Sequence, residues 1–435
     1  NVSPNFISEL KLRTSYGSLG NGSIASYAFQ ERYQITQSER ILNGVRPQQT
    51  SQPGVLPKGL TWETSTTTNI GLDVSMLANR LTLVADAYIR RTTDMFTVGM
   101  TLPAVFGTDV PKGNYADLET KGWEVSVQWN DKFDLGAKPF HYNIRLNLAD
   151  YQAEVTKYNN QDKRLSDYYT GQKLGEIWGF TTAGFYTSAE DIANSPKQIL
   201  YKSSTSGQTL PGDIKFTDLN GDGVIDKGTE TVGNPGDMSI IGNTTPRYTY
   251  GINLGADWNR FSFSVFFQGV GKQDWYPGRE AAIFWGQYNR PYNKIPTWQL
   301  GEIWSEDNPN AYLPRYRGYI AQNEQATLRQ NQTRYLQNVA YIRMKNIQLG
   351  YMLPENWIKR LGMSATRIFV SGENLFTWSP LYKRAKDLDV ENVWRSDALL
   401  SPPKDAVADP NNNNSGNGNN YPMLKSISFG ISATF

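Results

Sequence analysis

The sequence predicts an all-β protein, a transmembrane antiparallel β-barrel with long extracellular loops. Its 435 residues include 25 Tyr, 18 Phe, 12 Trp and 38 Gly but only 19% charged residues, which is typical of β-structure with an aromatic surface. Apolar and polar residues alternate over segments of about ten residues, the length of a tilted membrane-spanning strand. Tight turns alternate with very long connections, as in bacterial outer-membrane barrels.

Strict alternation defines the predicted strands. Residues 69–76 and 81–89 form a hairpin around the turn 77–80. A two-residue turn at Asn259-Arg260 joins a second pair of strands. That pair is 248–258 and 261–267, and the other predicted strands are 9–17, 123–129, 140–148, 341–353, 367–376 and 427–435, with a short helical piece near 354–361. With these segments the count is roughly a dozen strands.

The strand from Tyr248 to Trp258 fits the thickness of a membrane. Its length is roughly 33 Å at the usual rise per residue of a strand. Tilted by about 40°, it rises roughly 25 Å, the height of the apolar band of a barrel. Aromatic residues stand at both ends of this strand and at the ends of others. They therefore predict two aromatic girdles at the membrane interfaces.

Two connections, 151–245 and 272–338, are far longer than ordinary loops. We predict that both are extracellular, because outer-membrane barrels keep short turns on the periplasmic side. A third connection contains the polar, low-complexity stretch 409–420, to which we assign no chemistry.

Composition excludes several classes of function. The net charge of +2 argues against nucleic acid as a partner, because phosphate binding needs a concentrated basic field. The absence of cysteine excludes disulfides and thiolate metal sites. A single histidine, His141, leaves no basis for a catalytic triad or a histidine metal site. No pair of acids has a spacing that indicates hydrolysis, so we predict a protein that is not an enzyme.

One motif indicates a metal site. The segment 218–226 places oxygen side chains at positions 1, 3, 5 and 9 and glycine at position 6, which is the calcium-loop pattern. The twelfth position is Thr229, with an acid one residue later. The alternative is a turn rich in Asn, Asp and Gly that binds no metal. The predicted ligands of a structural Ca²⁺ are Asp218, Asn220, Asp222, Val224 (through its carbonyl), Asp226 and Glu230.

The second long connection is rich in aromatic residues among polar neighbours, which suits the flat face of a sugar or the side chains of a peptide. The alternative is that most of these rings pack the loop against its neighbours. The predicted substrate-binding residues are Trp275, Tyr276, Trp285, Tyr288 and Tyr292. Polar residues on the strands, such as Lys11, Arg13, Asn143 and Arg145, are predicted to line the lumen of the barrel.

The motifs resemble those of the C-terminal half of a SusC/RagA-type TonB-dependent outer-membrane transporter. They follow one another in the same order over essentially the whole chain, which ends in an alternating strand at Phe435. The segments that carry the resemblance include KLRTSYG at 11–17, GLTWET at 59–64, KGWE at 121–124, GEIWG at 175–179, GDIKFTDLNGDG at 212–223, IGNTTPRY at 241–248, YIRMKNIQLGY at 341–351 and SGENLF at 371–376.

This resemblance implies a 22-stranded barrel with a plugged lumen. It also implies a TonB box that couples the transporter to TonB, and a SusD-like surface lipoprotein as a lid. The chain shows no plug, TonB box or early strands. We therefore expect residues 1–435 to be the C-terminal part of the barrel, cut from or continuing a larger polypeptide in contact with outer-membrane lipid.

The resemblance further implies the import of a bulky nutrient across the outer membrane of a Gram-negative, Bacteroidetes-type bacterium. We expect an oligosaccharide as the substrate, with peptides or another ligand as the alternative within the family. A different alternative is a secreted, soluble, β-rich protein that binds or hydrolyses glycans. It would need no detergent and, if it were an enzyme, would carry a pair of acids in a cleft.

Overall fold

The computed structural model describes residues 6–22, 30–50, 53–56, 59–99, 102–107, 110–200, 209–278, 281–317, 327–393 and 421–435. The polar stretch 409–420 lies outside these ranges. Within them, no helix has the length and apolar character that a membrane-spanning helix requires.

Ten strands form one antiparallel sheet, in which every strand pairs with its neighbours in that series. This meander confirms the predicted all-β antiparallel fold. Numbered along the chain, the strands are β1 (Ile7–Asn21), β2 (Glu63–Met76), β3 (Leu81–Val98), β4 (Lys112–Leu135), β5 (Lys138–Lys157), β6 (Arg247–Trp258), β7 (Phe261–Lys272), β8 (Tyr341–Met352), β9 (Ala365–Trp378) and β10 (Ser426–Thr434).

The strand register aligns the alternation of each strand with that of the next. Leu12 pairs with Leu72, and Leu72 pairs in turn with Ala85. Ala85 then pairs with Val125, so that one apolar row crosses four strands. Because side chains alternate along a strand, this register gives the sheet an apolar face and a polar face. A slip of one residue would place every apolar side chain on the wrong face.

The tight turns all lie at one end of the sheet and contain residues with positive φ. Gly136 and Ala137 have φ values of 61° and 62°, and Asn259 and Arg260 have values of 44° and 76°. Two such residues in a two-residue loop make the turn type that matches the twist of the flanking strands. Asn259-Arg260 was predicted as a turn, and it connects β6 to β7.

The described residues of the long connections at the other end fold together into what we call the loop body, residues 158–200, 209–246, 273–278, 281–317, 327–340 and 379–393. Its core contains the largest fully buried rings of the described chain, among them Trp275, Trp285 and Tyr335. Phe180 of the first connection donates its N–H to Asn331 O of the second at 2.8 Å. The two predicted extracellular loops are therefore one packed unit.

Short elements complete the fold. The short strands pair two by two and are Ile35–Gln37 with Gln48–Thr50, Glu176–Phe180 with Met238–Asn243, Thr182–Phe185 with Ile214–Phe216, Lys197–Gln198 with Val224–Ile225, and Asp274–Trp275 with Gln337–Asn338. The α-helices are Ala189–Asn194, Ala282–Trp285 and Glu355–Ile358. The 3-10 helices of the described residues are Ala104–Phe106, Gly286–Tyr288, Thr297–Gln299, Lys359–Leu361 and Pro380–Lys383.

Several strands are longer than alternation predicts. The segment 123–129 is the centre of β4, which has 24 residues, and β3 and β5 have 18 and 20. Their extra residues lie mainly at the end of the long connections, where both faces carry polar side chains and alternation is lost. The short helical piece predicted near 354–361 is present as the helices Glu355–Ile358 and Lys359–Leu361.

Candidate binding surfaces of the barrel wall and the loop body

The polar face of the sheet carries an ion-pair network across β1, β2 and β3. Arg13 Nη2 lies 2.8 Å from Asp73 Oδ1 and 2.8 Å from Asp86 Oδ2. Asn69 Nδ2 donates to Asp86 Oδ1 at 2.8 Å. The Arg13 side chain keeps 32% of its surface exposed. The network thus faces the space in front of the sheet and presents fixed charge to it.

The four residues predicted to line the lumen all lie on this polar face. Lys11 and Arg13 share one phase of β1, and Asn143 and Arg145 share the corresponding phase of β5. Asn143 lies opposite Gly255, and a Cβ at Gly255 would stand 2.5 Å from the Asn143 amide nitrogen. Glycine at this position therefore leaves room for the amide group.

A cavity of about 460 Å³ opens on the polar face where β3 to β7 run side by side. Asp86, Glu124 and Asn147 contribute its polar groups, and Gln268 lies at its far side. Gly251 of β6 stands in the middle and carries no side chain to fill it. The polar face of the sheet therefore has a concave surface with hydrogen-bonding groups. The volume of this cavity is within the range that ligand sites occupy.

The apolar face carries aromatic residues near both ends of its strands. At the tight-turn end, Phe133 and Phe140 have ring centroids 5.0 Å apart, and Trp129 Nε1 donates to Tyr142 Oη at 3.1 Å. At the loop-body end, Phe376 and Trp378 are 51% and 58% exposed. Rings of this kind favour the boundary between lipid and water, where the girdles are predicted. The rings at the tight-turn end cross from one strand to the next, whereas the two at the loop-body end both lie on β9.

Hydrogen bonds from backbone N–H groups to the loop's own carboxylates hold the predicted calcium loop in its conformation. Asp218 accepts the N–H groups of Gly221 and Gly223 at 2.6 and 2.9 Å. Asp222 Oδ1 accepts the N–H of Val224 at 2.8 Å, and Asp226 Oδ1 that of Gly228 at 2.7 Å. The all-oxygen donor set suits Ca²⁺. In this conformation, however, the described residues include no group of three acidic or histidine side chains that could hold a metal ion.

Two acidic residues could replace the carboxylate ligand that the motif lacks at its twelfth position. Glu230, the predicted one, is exposed and has a φ of 52°. Asp237, which sequence reasoning missed, is fully buried, and its two carboxylate oxygens accept the N–H groups of Leu219 and Asp226 at 2.8 and 2.9 Å. Asp237 thus joins the two ends of the loop. Its signal in the sequence was weak, because it lies 19 residues after the first position and outside the motif's spacing.

Four of the five rings predicted to bind substrate are buried. The exposed fractions of Trp275, Tyr276, Trp285 and Tyr288 are 0%, 1%, 0% and 1%, whereas Tyr292 is 76% exposed. A buried ring cannot stack on a sugar without opening the loop body. The arrangement corresponds to the alternative in which these rings pack the loop, and Tyr292 alone keeps an accessible face.

The buried rings also donate hydrogen bonds to backbone carbonyl groups of the loop body. Tyr276 Oη lies 2.9 and 2.8 Å from the carbonyl oxygens of Leu328 and Gln330, which share its single hydrogen. Trp285 Nε1 donates to Pro277 O at 3.0 Å. Burial raises the pKa of the Tyr276 hydroxyl far above its ordinary value, so the ring stays neutral and remains a donor. These bonds fix irregular backbone that has no strand partner.

A charged cluster attaches the segment 379–393 to β8. Arg343 Nη2 lies 2.8 Å from Asp389 Oδ1, and both side chains are only 3% exposed. Lys345 Nζ lies 2.7 Å from Glu391 Oε2. Burial would raise the pKa of Asp389, but the Arg343 guanidinium and two backbone N–H groups lower it below the ordinary value. The aspartate is therefore ionised, and the pair holds this segment over the polar face.

Comparison with known proteins gives a consistent group of relatives. No family model matches the chain. TonB-dependent receptor P3 of Formosa agariphila is 27% identical over 99% of this chain and 40% of its own length. TonB-dependent receptor SusC of Bacteroides thetaiotaomicron is 28% identical over 60% of this chain and 26% of its own length. The chain thus spans about two fifths of the length of the first of these relatives.

Solved structures show the same fold. The RagAB peptide transporter matches with a TM-score of 0.67 and 20% identity, over 99% of this chain and 41% of that one. The closed-closed state of the RagAB peptide importer matches with a TM-score of 0.69 and 19% identity. The ten-stranded sheet and the loop body therefore superimpose on part of a transporter barrel.

Proposed function

Because the chain is homologous to SusC/RagA-type TonB-dependent outer-membrane transporters and is thus an outer-membrane protein, we propose that it forms part of a pore wall for nutrient import. The observation that carries the proposal is the two-faced sheet, with all tight turns at one end and the loop body at the other. An apolar outer face suits lipid, and a polar inner face suits an aqueous passage. The proposal assigns no catalytic step to the chain.

An oligosaccharide is the proposed cargo. Support comes from the polar face, whose amide and carboxylate groups can exchange hydrogen bonds with hydroxyl groups, and from the accessible ring of Tyr292 in the loop body. A peptide is the competing cargo, because the structurally similar RagAB is a peptide transporter. A SusD-like lipoprotein above the loop body and TonB on the periplasmic side are the proposed partners.

For the loop 218–226 we propose a structural Ca²⁺ held by five of the predicted oxygen ligands, Asp218, Asn220, Asp222, Val224 and Asp226. Asp237 is a better candidate than Glu230 for the missing acid, because its carboxylate already contacts the backbone at both ends of the loop. The ion would lock the loop to the strand Met238–Asn243, which Asp237 precedes. This role is stabilising and does not involve the passage of cargo.

Deleting the gene in its own bacterium tests the proposed function. Mutant and wild type are grown on single neutral oligosaccharides or on defined peptides, with free glucose and free amino acids as the controls. We expect slow growth of the mutant on one oligosaccharide and normal growth on its monosaccharide. Loss of growth on peptides alone would refute the oligosaccharide. Normal growth on both kinds of polymer would refute import.

A further inference from the structure

A basic cluster lies at the tight-turn end of the sheet, where the turn between β6 and β7 meets the longer connection between β8 and β9. Arg260 stands in the turn, and Lys359 and Arg360 follow the helix Glu355–Ile358 in the connection. All three side chains are exposed. The N–H of Met352 donates to Arg260 O at 2.9 Å, which joins the turn to the end of β8, where the connection begins.

The acid within this cluster neutralises only part of its charge. Lys359 Nζ lies 2.8 Å from Glu355 Oε2, but the two side chains are 69% and 68% exposed. An ion pair this exposed is weak and leaves the ammonium group accessible. The Lys359 ammonium and, to a smaller extent, the Arg260 guanidinium lower the pKa of Glu355, so both cations act on the same carboxylate. With Arg360, the basic cluster has three positive charges and one negative charge.

The charged groups that border the cluster do not cancel this excess. Lys138 Nζ donates to Asn259 Oδ1 in the same turn and brings a further cation. Asp257, which precedes the turn, lies on the polar face of the sheet. In the turn between β2 and β3, by contrast, Arg80 Nε lies 3.4 Å from Asp131 Oδ1. That turn is locally neutral, whereas the basic cluster keeps an excess of positive charge.

Exposed aromatic rings lie directly beside the basic cluster. Phe261 follows the turn on the apolar face and is 44% exposed, and its ring centroid lies 4.6 Å from that of Tyr351. Trp357 of the connection is 66% exposed, and its N–H donates to Pro354 O at 3.0 Å. Aromatic rings with cations beyond them, at the end of an apolar face, fit the boundary between acyl chains and headgroups of a membrane.

We propose that the basic cluster binds the phosphate of an anionic phospholipid in the leaflet at the tight-turn end, with the rings of Phe261 and Trp357 against its glycerol group and upper acyl chains. Arginine and lysine form charge-assisted hydrogen bonds with phosphate oxygens. A zwitterionic headgroup also contains a phosphate, but its own cation would be repelled by the cluster. The excess of positive charge therefore favours a headgroup with a net negative charge. This site concerns the membrane and not the cargo, so it goes beyond the function proposed above.

The test measures lipid binding by native mass spectrometry, on protein purified in detergent from the outer membrane of its own bacterium. Dioleoylphosphatidylglycerol and dioleoylphosphatidylcholine are the probes, because they share their acyl chains and differ in headgroup charge. Arg260→Gln and the double variant Lys359→Gln/Arg360→Gln remove charge from the basic cluster. Arg80→Gln is the matched control, because Arg80 is an exposed arginine of another tight turn and is already paired with Asp131. Heat-modifiable migration on gels verifies that each variant is folded.

We expect the wild type and the control to bind phosphatidylglycerol more tightly than phosphatidylcholine. Each charge removed from the basic cluster should weaken the binding of phosphatidylglycerol about 5-fold and change that of phosphatidylcholine little. Equal binding of the two lipids to the wild type, or an undiminished preference in both cluster variants, would overturn the site.

An equal loss in the Arg80→Gln control would overturn it as well, because overall charge would then explain the preference. Inorganic phosphate at millimolar concentration is added as a competitor. If it displaces phosphatidylglycerol, the cluster is a site for free phosphate and the lipid proposal is wrong. None of these outcomes bears on import, which the growth of the deletion mutant tests.

Discussion

The sheet and the loop body use the same kinds of side chain in opposite ways. On the outermost strands of the sheet, Leu12 is 71% exposed and Phe429 is 83% exposed, and both lie on the apolar face. In the loop body, Trp275 and Trp285 are completely buried. We propose lipid as the surroundings of the first group, whereas the protein's own core surrounds the second. Aromatic content therefore says little about environment until the local backbone pattern is known.

The largest effect is expected when a substitution removes a buried ring from the loop body and leaves a cavity. Trp285→Ala should lower its free energy of unfolding by about 3–5 kcal/mol, because the ring is fully buried and hydrogen-bonded. Limited proteolysis of the purified protein measures this as earlier cleavage within 273–340. Phe429→Ala on the apolar face is the control, and we expect no change in cleavage of the loop body. Equal sensitivity of both variants would contradict the contrast between the two regions.

A charge on the apolar face should have the next largest effect. Ile252 lies on this face near the middle of β6, so Ile252→Arg should destabilise the inserted sheet by about 2–4 kcal/mol. Asn253→Arg, one residue further on, places the same charge on the polar face and should cost at most about 1 kcal/mol, from repulsion with Arg145 on the neighbouring strand. Heat-modifiable migration on gels of outer-membrane extracts reports the folded barrel. If both variants fold alike, the assignment of the two faces is wrong.

Removing the Asp237 carboxylate is expected to cost about 1–3 kcal/mol, because two buried N–H groups lose their acceptor. Asp237→Ala should lower the melting temperature of the loop body. If Ca²⁺ binds, a chelator should lower the melting temperature of the wild type and have less effect on the variant. Glu230→Ala, at an exposed position, is the control. A melting curve of the wild type that is unchanged by the chelator would refute the ion and leave the hydrogen-bonding role of Asp237 standing.

The smallest effect on stability is expected from low pH, through the protonation of Asp191. The Lys215 ammonium and the backbone N–H of Thr187 hold the pKa of Asp191 down at about 2. Because this pKa is lower in the folded state, its stabilisation is complete above pH 4 and is lost as the pH falls through about 2. Partial exposure limits it to about 1 kcal/mol. Asp191→Asn should lack this part of the acid dependence in denaturant titrations at pH 5 and pH 2.5. An identical dependence in the variant would contradict the assignment.

The sheet could be predicted from the sequence because its determinants are local. Alternation within 69–76 and 81–89 fixes which side chains share a face, and the turn residues fix the register. The same reasoning placed Arg13 and Arg145 on the polar face. Most of the strands were therefore identified, and only the ends of the long ones were missed.

The loop body could not be predicted because its determinants are distant along the chain. Tyr276 contacts carbonyl groups 52 and 54 residues away, and no spacing in the sequence indicates them. The burial of the tryptophans and the position of Asp237 depend on such contacts.

The hydrogen bonds between Phe180 and residues 331 and 333 also set an order of events. The strand Glu176–Phe180 cannot complete its contacts until the chain has passed through β6 and β7 and reached the second long connection. Closing a loop of this length is slow compared with forming a hairpin between adjacent strands. We therefore expect the ten-stranded sheet to assemble first and the loop body to fold last. An assembly intermediate would then have a complete sheet and an unfolded loop body. Its two long connections would still be accessible to protease.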